Sequence, residues 1–177
     1  DIILVLYVLA GGSLAAGGAH AINHYLDRDI DGRMDRTSHR PVVSGRITPH
    51  RALIFGIALN LLAFILLSTL INLLSAYITL SGTLIYVFIY TIGLKRSTPQ
   101  NIVIGGAAGA VPPMVGWTAV TGSLDLPAIY LFAIVFFWTP PHFWALALMI
   151  KDDYEAARIP MLPVVVGVDE TKKTILL

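Results

Sequence analysis

The chain has 177 residues, of which 56% are hydrophobic and only 13% charged, and its mean hydropathy is +0.75. Soluble domains carry about 25% charged residues, so this composition excludes an ordinary soluble domain and indicates a polytopic membrane protein. A net charge of +1 gives no basis for a nucleic-acid partner, and the lack of cysteine excludes disulfides and thiolate-bound metals.

A first span is expected from Ile2 to a polar stripe that starts near His20. Its interior is rich in small residues (Gly11, Gly12, Ala15, Ala16, Gly17, Gly18). Such residues let helices approach closely in lipid.

From His20 to Arg51 the sequence reads HAINHYLDRDIDGRMDRTSHRPVVSGRITPHR and holds four of the eleven acidic residues and six of the twelve Lys and Arg. Asn23, Asp27 and Asp31 recur at every fourth position. Each four-residue step on a helix turns by only ~40°, so the three share one face, with His20 and His24 in the same sector. A solvated helix of a soluble protein could carry this stripe idly. At the mouth of a membrane helix, acids are costly unless they are used.

A polar loop, Thr37 to Gly45, follows, with Pro41 ending any helix, and Thr48-Pro49 marks an N-cap and first helical position. Ala52 to Leu94 is nearly all apolar and roughly twice the ~20 residues that one span needs. It must fold back once, near Asn72 to Ser75, giving spans at about Pro49–Ile71 and Leu74–Leu94. Lys95-Arg96-Ser97 comes next, and Thr98-Pro99 opens a fourth span that reaches about Val120. After a Thr121-Gly122-Ser123 turn, Pro127 opens a fifth span ending at Ile150. A charged loop, Lys151 to Lys173, precedes the start of a sixth. The expected fold is an all-α transmembrane bundle, one domain over residues 1–177, with five complete spans and both ends cut from a longer chain.

The charges check this topology. Six basic residues lie between Arg28 and Arg51, two at Lys95-Arg96, and four between Lys151 and Lys173, while the turns near Asn72 and Ser123 have none. With five spans all twelve fall on one side, which the positive-inside rule makes cytoplasmic. Two acidic clusters share that face: Asp27, Asp29, Asp31 and Asp35, and Asp152, Asp153 and Glu155.

Mg²⁺ prefers carboxylates and water, and commonly bridges a few carboxylates to substrate phosphates. Asn23, Asp27 and Asp31, with Arg36, Arg40, Lys95 and Lys151 on the same side, therefore suit a magnesium–diphosphate site. For Arg46, Arg51, Lys172 and Lys173, setting topology is a sufficient role.

Within the spans, Gly105-Gly106-Ala107-Ala108-Gly109 followed by Pro112-Pro113 is expected to break the fourth helix, and Pro140-Pro141 the fifth. Broken helices at this depth need protein or a cavity around them. They suggest a chamber walled by Trp117, Phe137, Trp138, His142, Phe143 and Trp144. His142 lies ~12 Å along the helix from Ile150. It serves either as a neutral partner of a freed carbonyl or as a substrate contact.

The Asn23-x-x-x-Asp27-x-x-x-Asp31 spacing resembles the first aspartate motif of the UbiA superfamily of intramembrane prenyltransferases. The string from Asn23 to Asp31, Arg36-Thr37-x-x-Arg40-Pro41 and Tyr90 to Asn101 are similar to the branch that farnesylates haem b. So are Ile104 to Gly116, Trp138-Thr139-Pro140-Pro141-His142-Phe143-Trp144, Lys151-Asp152-Asp153-Tyr154 and Ile159-Pro160-Met161-Leu162-Pro163. The second motif of the superfamily, Asp-x-x-x-Asp, is not reproduced by Asp152, Asp153 and Glu155, and Arg158 stands where a Gly is usual.

The resemblance implies a helical bundle with further spans on both sides of this piece. It implies farnesyl transfer from farnesyl diphosphate to a vinyl group of haem b, with water added, to give haem O. Asn23, Asp27, Asp31, Lys151, Asp152 and Asp153 would be catalytic, with Mg²⁺ on Asn23, Asp27, Asp31 and Asp152. Arg36, Arg40, Lys95, Arg96, His142, His20 and His24 would bind substrates. It further implies a bacterial inner membrane, and an association with haem A synthase or terminal oxidase assembly. Two rival readings are a related enzyme acting on a quinone or chlorophyll precursor, and a transporter with broken helices.

Overall fold

The computed structural model describes residues 1–176, and among them there is no strand. Five helical stretches are long and apolar enough to cross a membrane: Ile2–Leu26, Pro49–Leu70, Leu73–Leu94, Asn101–Thr121 and Leu126–Met149. Their ends lie within two residues of most of the expected boundaries.

Helix α1 (Ile2–Leu26) starts at Asp1, whose carboxylate accepts the Ile3 amide at 2.9 Å. A single turn, α2 (Arg28–Asp31), continues it beyond Asp27. The second span is α3 (Pro49–Leu70), with Pro at its first position. Asn72 opens α4 (Leu73–Leu84) by accepting the Ser75 amide at 2.8 Å, and its own amide ties the turn to the Thr118 carbonyl at 2.9 Å. The rest of the third span, Ile85–Leu94, is a π-helix, which the sequence does not announce.

The fourth span is two helices, α5 (Asn101–Gly105) and α6 (Ala107–Thr121), and the break falls at Gly106. Pro112 and Pro113 lie inside a continuous α6, and Pro140 and Pro141 inside a continuous α7 (Leu126–Met149). The fourth helix thus breaks within the expected Gly105–Pro113 string, at its glycines, while the expected break of the fifth at Pro140-Pro141 is corrected. Each pair withholds two amides without ending its helix. The carbonyls left over by Pro112-Pro113 belong to Ala108 and Gly109, which line a cavity, as a polar backbone group at membrane depth requires.

The charged segment after α7 folds as three short helices, α8 (Lys151–Ala156), α9 (Leu162–Val165) and α10 (Val168–Leu176). The last residue of the expected sixth-span start, Leu177, lies outside the described residues.

Packing is tightest between α1 and α3. A Cβ on Gly18 would sit 2.7 Å from the Gly56 carbonyl oxygen, and one on Gly56 the same distance from that of Gly18. The small-residue face of the first span is thus used for close approach. Elsewhere α4 packs on α6, α6 on α7, and α10 on α7. At the loop side, Ile30, Met34, Ala147, Ala157, Ile159 and Met161 form a core that clamps α2 against the end of α7 and the turn after α8.

Candidate active site

Asn23, Asp27 and Asp31 converge although the helix interrupts at Asp27. The amide of Asp27 donates to the Asn23 carbonyl at 2.8 Å and that of Asp31 to the Asp27 carbonyl at 2.9 Å, so the four-residue step survives the break. All three side chains are buried, at 2%, 0% and 0% exposure. Buried carboxylates need partners, and four side chains supply them.

Asn23 Nδ2 donates to Asp27 Oδ2 at 2.6 Å. The Lys95 ammonium donates to the same oxygen. Arg96 Nη2 reaches Asp27 Oδ1 at 3.3 Å. Arg40 Nη1 donates to Asp31 Oδ2 at 2.7 Å and approaches Asn23 Oδ1 at 3.3 Å. Of the expected basic set, then, Arg40, Lys95 and Arg96 are brought to the acids. Arg96 also grips Asp29 with two bonds of 2.7 Å, and its guanidinium holds the Asp29 carboxyl below the usual carboxylate range.

Backbone geometry places Lys95. In the π-helix Thr91 Oγ1 donates to the Tyr86 carbonyl at 2.9 Å, and the Lys95 amide to that of Tyr90 at 2.8 Å, both five residues back. Thr91 also accepts from Asn23 Nδ2 at 3.4 Å. Buried Asn101 donates to the Lys95 carbonyl at 3.4 Å, and buried Thr37 to the Asp31 carbonyl at 2.8 Å. Sequence reasoning missed Asp29, Thr37, Thr91 and Asn101 as site residues. The signal available was that all four lie within the motif strings.

Asp31 Oδ1 is buried without a hydrogen-bond partner. A buried carboxylate oxygen left free beside a second carboxylate and an amide is the donor set that a hard cation takes. Asn23, Asp27 and Asp31 therefore fit Mg²⁺. Among the described residues no three His or acidic side chains form a metal-holding group. Asp152, exposed on α8, does not join Asp27 and Asp31 in such a group.

The second cluster touches the site through backbone. Asp153 accepts the amides of Asp35 and Arg36 at 3.2 and 3.3 Å, so α8 pins the loop after α2. Lys151 pairs with Glu155 at 3.4 Å instead of reaching the acids, and the Arg36 side chain is exposed. Tyr154 packs against the loop-side core, and burial pushes its hydroxyl pKa up.

Below the acids lies an apolar cavity of about 600 Å³ between α1, the third span and α6, lined by residues including Val8, Ala16, His20, Tyr86, Gly109 and Val115. A second cavity, of about 580 Å³, lies between α1, α3 and the polar loop, with His20, His24 and Arg51 in its wall. None of Trp117, Phe137, Trp138, His142, Phe143 and Trp144 lines either cavity. His142 stacks on Trp138 with ring centroids 4.1 Å apart. The two cavities are walled mostly by small and aliphatic residues, with Tyr86 in the first and Phe55 in the second, while Phe137 and Trp138 stand exposed, at 73% and 57%.

Comparison with known proteins decides what this arrangement belongs to, since the model of the UbiA prenyltransferase family matches residues 1–177. The chain belongs to that family. It is 58% identical over 177 residues to a protoheme IX farnesyltransferase of Roseiflexus sp. (strain RS-1), covering all of this chain and 33% of the relative. A protoheme IX farnesyltransferase of Nostoc sp. (strain PCC 7120 / SAG 25.82 / UTEX 2576) is 59% identical over 99% of this chain and 55% of its own length. Against these relatives, this UbiA chain spans about a third to about half of the full length. The solved structure of a UbiA homolog from Archaeoglobus fulgidus, bound to DMAPP and Mg²⁺, superposes with a TM-score of 0.79 over 99% of this chain and 62% of that one. At 20% identity, that likeness shows the fold. Five apolar spans in a UbiA fold make an integral membrane protein.

Proposed function

We propose that this chain carries the diphosphate-handling half of an enzyme that transfers a farnesyl group from farnesyl diphosphate to a vinyl group of haem b, forming haem O. The observation that carries the reading is the buried Asn23–Asp27–Asp31 group ringed by Lys95, Arg96 and Arg40, standing over an apolar cavity. The named relatives supply the acceptor.

Asn23, Asp27 and Asp31 would hold Mg²⁺, which when bound neutralises charge on the diphosphate as it leaves. Lys95, Arg96 and Arg40 are already held at the site by the acids and carry the positive charge that binds and steadies the diphosphate. The cavity below, with Val8, Ala16 and Val115 in its wall, shelters the prenyl chain and keeps water from the allylic cation. Asp153, by fixing the Asp35 and Arg36 amides, orders the loop that bears Arg40. Because Arg28 to Arg51, Lys95-Arg96 and Lys151 to Lys173 lie on one side of the five spans, this site faces the cytoplasm of a bacterial inner membrane, where haem A synthase or terminal oxidase assembly can take up the product.

The test supplies purified full-length protein with farnesyl diphosphate, Mg²⁺ and either haem b or 4-hydroxybenzoate. Haem O from haem b, and no prenylated benzoate, is the expected result. The opposite acceptor preference would assign the chain to the quinone branch, and diphosphate movement without its release would indicate a transporter.

A further inference from the structure

His20 stands where the two cavities meet. It lines the apolar cavity beside Tyr86, with ring centroids 5.9 Å apart in an edge-on arrangement, and it also lines the second cavity with His24 and Arg51. Its side chain is exposed and not packed into the core. Seven residues before Asp27 on α1, it shares the face of Asp27, two turns or about 10 Å deeper in the span. It therefore lies in the layer below the diphosphate site, where the carbon being prenylated must sit.

Haem O formation needs opposite things of water. The allylic cation must be kept dry until its carbon–carbon bond is made, yet one water must then be delivered. A base on the partition between the first cavity and a second one that adjoins the polar loop and carries His24 and Arg51 in its wall meets both needs. Asp27 and Asp31 cannot serve, being buried and held by Lys95, Arg96 and Arg40.

Resting on the farnesyl-transfer reading, we propose that His20 is the general base that activates the added water, and that the water arrives through the second cavity. The C1–O bond of farnesyl diphosphate breaks, with its electron pair leaving on the diphosphate. The outer vinyl carbon then bonds to C1, and the inner vinyl carbon is left electron-deficient. Water oxygen bonds to that carbon while a water proton passes to a His20 ring nitrogen, and from there to the released diphosphate. No oxidant or reductant is consumed. Without the base, the same carbon sheds a proton from its neighbour, giving an alkene one water lighter than haem O.

The test weighs the farnesylated haem made by the full-length protein from haem b, farnesyl diphosphate and Mg²⁺. In His20→Asn, farnesyl diphosphate is still cleaved, and the haem O share of product falls by about tenfold or more in favour of the lighter alkene. Added imidazole restores haem O in His20→Gly. Ala21→Leu, which narrows the second cavity without lining the first, shifts the product the same way. Wild-type partition in all three variants overturns the role of His20 alone, as does total loss of turnover in folded His20→Gly that imidazole does not rescue. A wild-type protein that makes no farnesylated haem overturns the reading on which the proposal rests.

Discussion

Lys95 and Asp27 lie 68 residues apart in the chain, yet the Lys95 ammonium donates to an oxygen of a wholly buried carboxylate. The π-helix makes this meeting possible. Ending the third span with five-residue hydrogen bonds gives it a wider turn than an α-helix, and Lys95 falls on the side facing α1. Thr91 and Asn101 hold the backbone of that turn at the site.

Removing one member of a buried ion pair leaves a charge stranded. Lys95→Met is expected to lower stability by about 3 kcal/mol, toward the small end of the range for buried pairs because Asn23 and Arg96 still touch Asp27. It should also abolish turnover. The double variant Asp27→Asn with Lys95→Met should recover most of the stability and none of the activity. Thermal unfolding in detergent and a haem O assay on the same samples check both halves. An unstable double variant would contradict the pairing.

Arg158 has φ 56°, in the left-handed region where residues other than glycine are strained. Arg158→Gly should therefore raise stability by about 1 kcal/mol. The readout is the unfolding midpoint of the full-length protein. A midpoint equal to or below that of the parent would mean the arginine makes a compensating contact.

Much of this was legible in the sequence for identifiable reasons. Span ends carry their own markers, such as Pro49 at a helix start and Lys95 at a span's charged end, and the four-residue spacing of Asn23, Asp27 and Asp31 outlasts the helix break. The π-helix was not legible, because moving a hydrogen bond by one residue leaves no trace in composition. Neither was the facing of α7. A span that is apolar all round offers no periodicity to say which side meets protein, so nothing in it foretold that Phe137 and Trp138 would stand exposed. The break at Gly106 falls inside the Gly105–Pro113 string expected to break the fourth helix, at its glycines and not at its prolines. Proline marks a missing amide, and a helix can carry that loss where a cavity lies alongside.

The orientation is testable because the chain has no cysteine. Ser75, although near a turn, is fully buried and bonded to Thr118 at 2.9 Å, so it is a poor reporter. Ser123, in the turn before α7, and exposed Ser97 are better placed. In cells making a cysteine-free full-length protein, an impermeant thiol reagent should label Ser123→Cys from outside and leave Ser97→Cys untouched until the membrane is opened. The reverse pattern would invert the assigned topology.

The most direct measurement of the central claim is haem O formation by the full-length protein carrying Asp31→Ala. Asp31 offers the one buried carboxylate oxygen in the site that lacks a partner, so its loss removes a cation ligand while Arg40 remains partly exposed and solvated. The wild type should make haem O only with Mg²⁺ present. The variant should stay folded and inserted, with turnover lower by about a hundredfold or more. Near-normal haem O from Asp31→Ala, or undiminished wild-type activity after Mg²⁺ is chelated, would contradict the account.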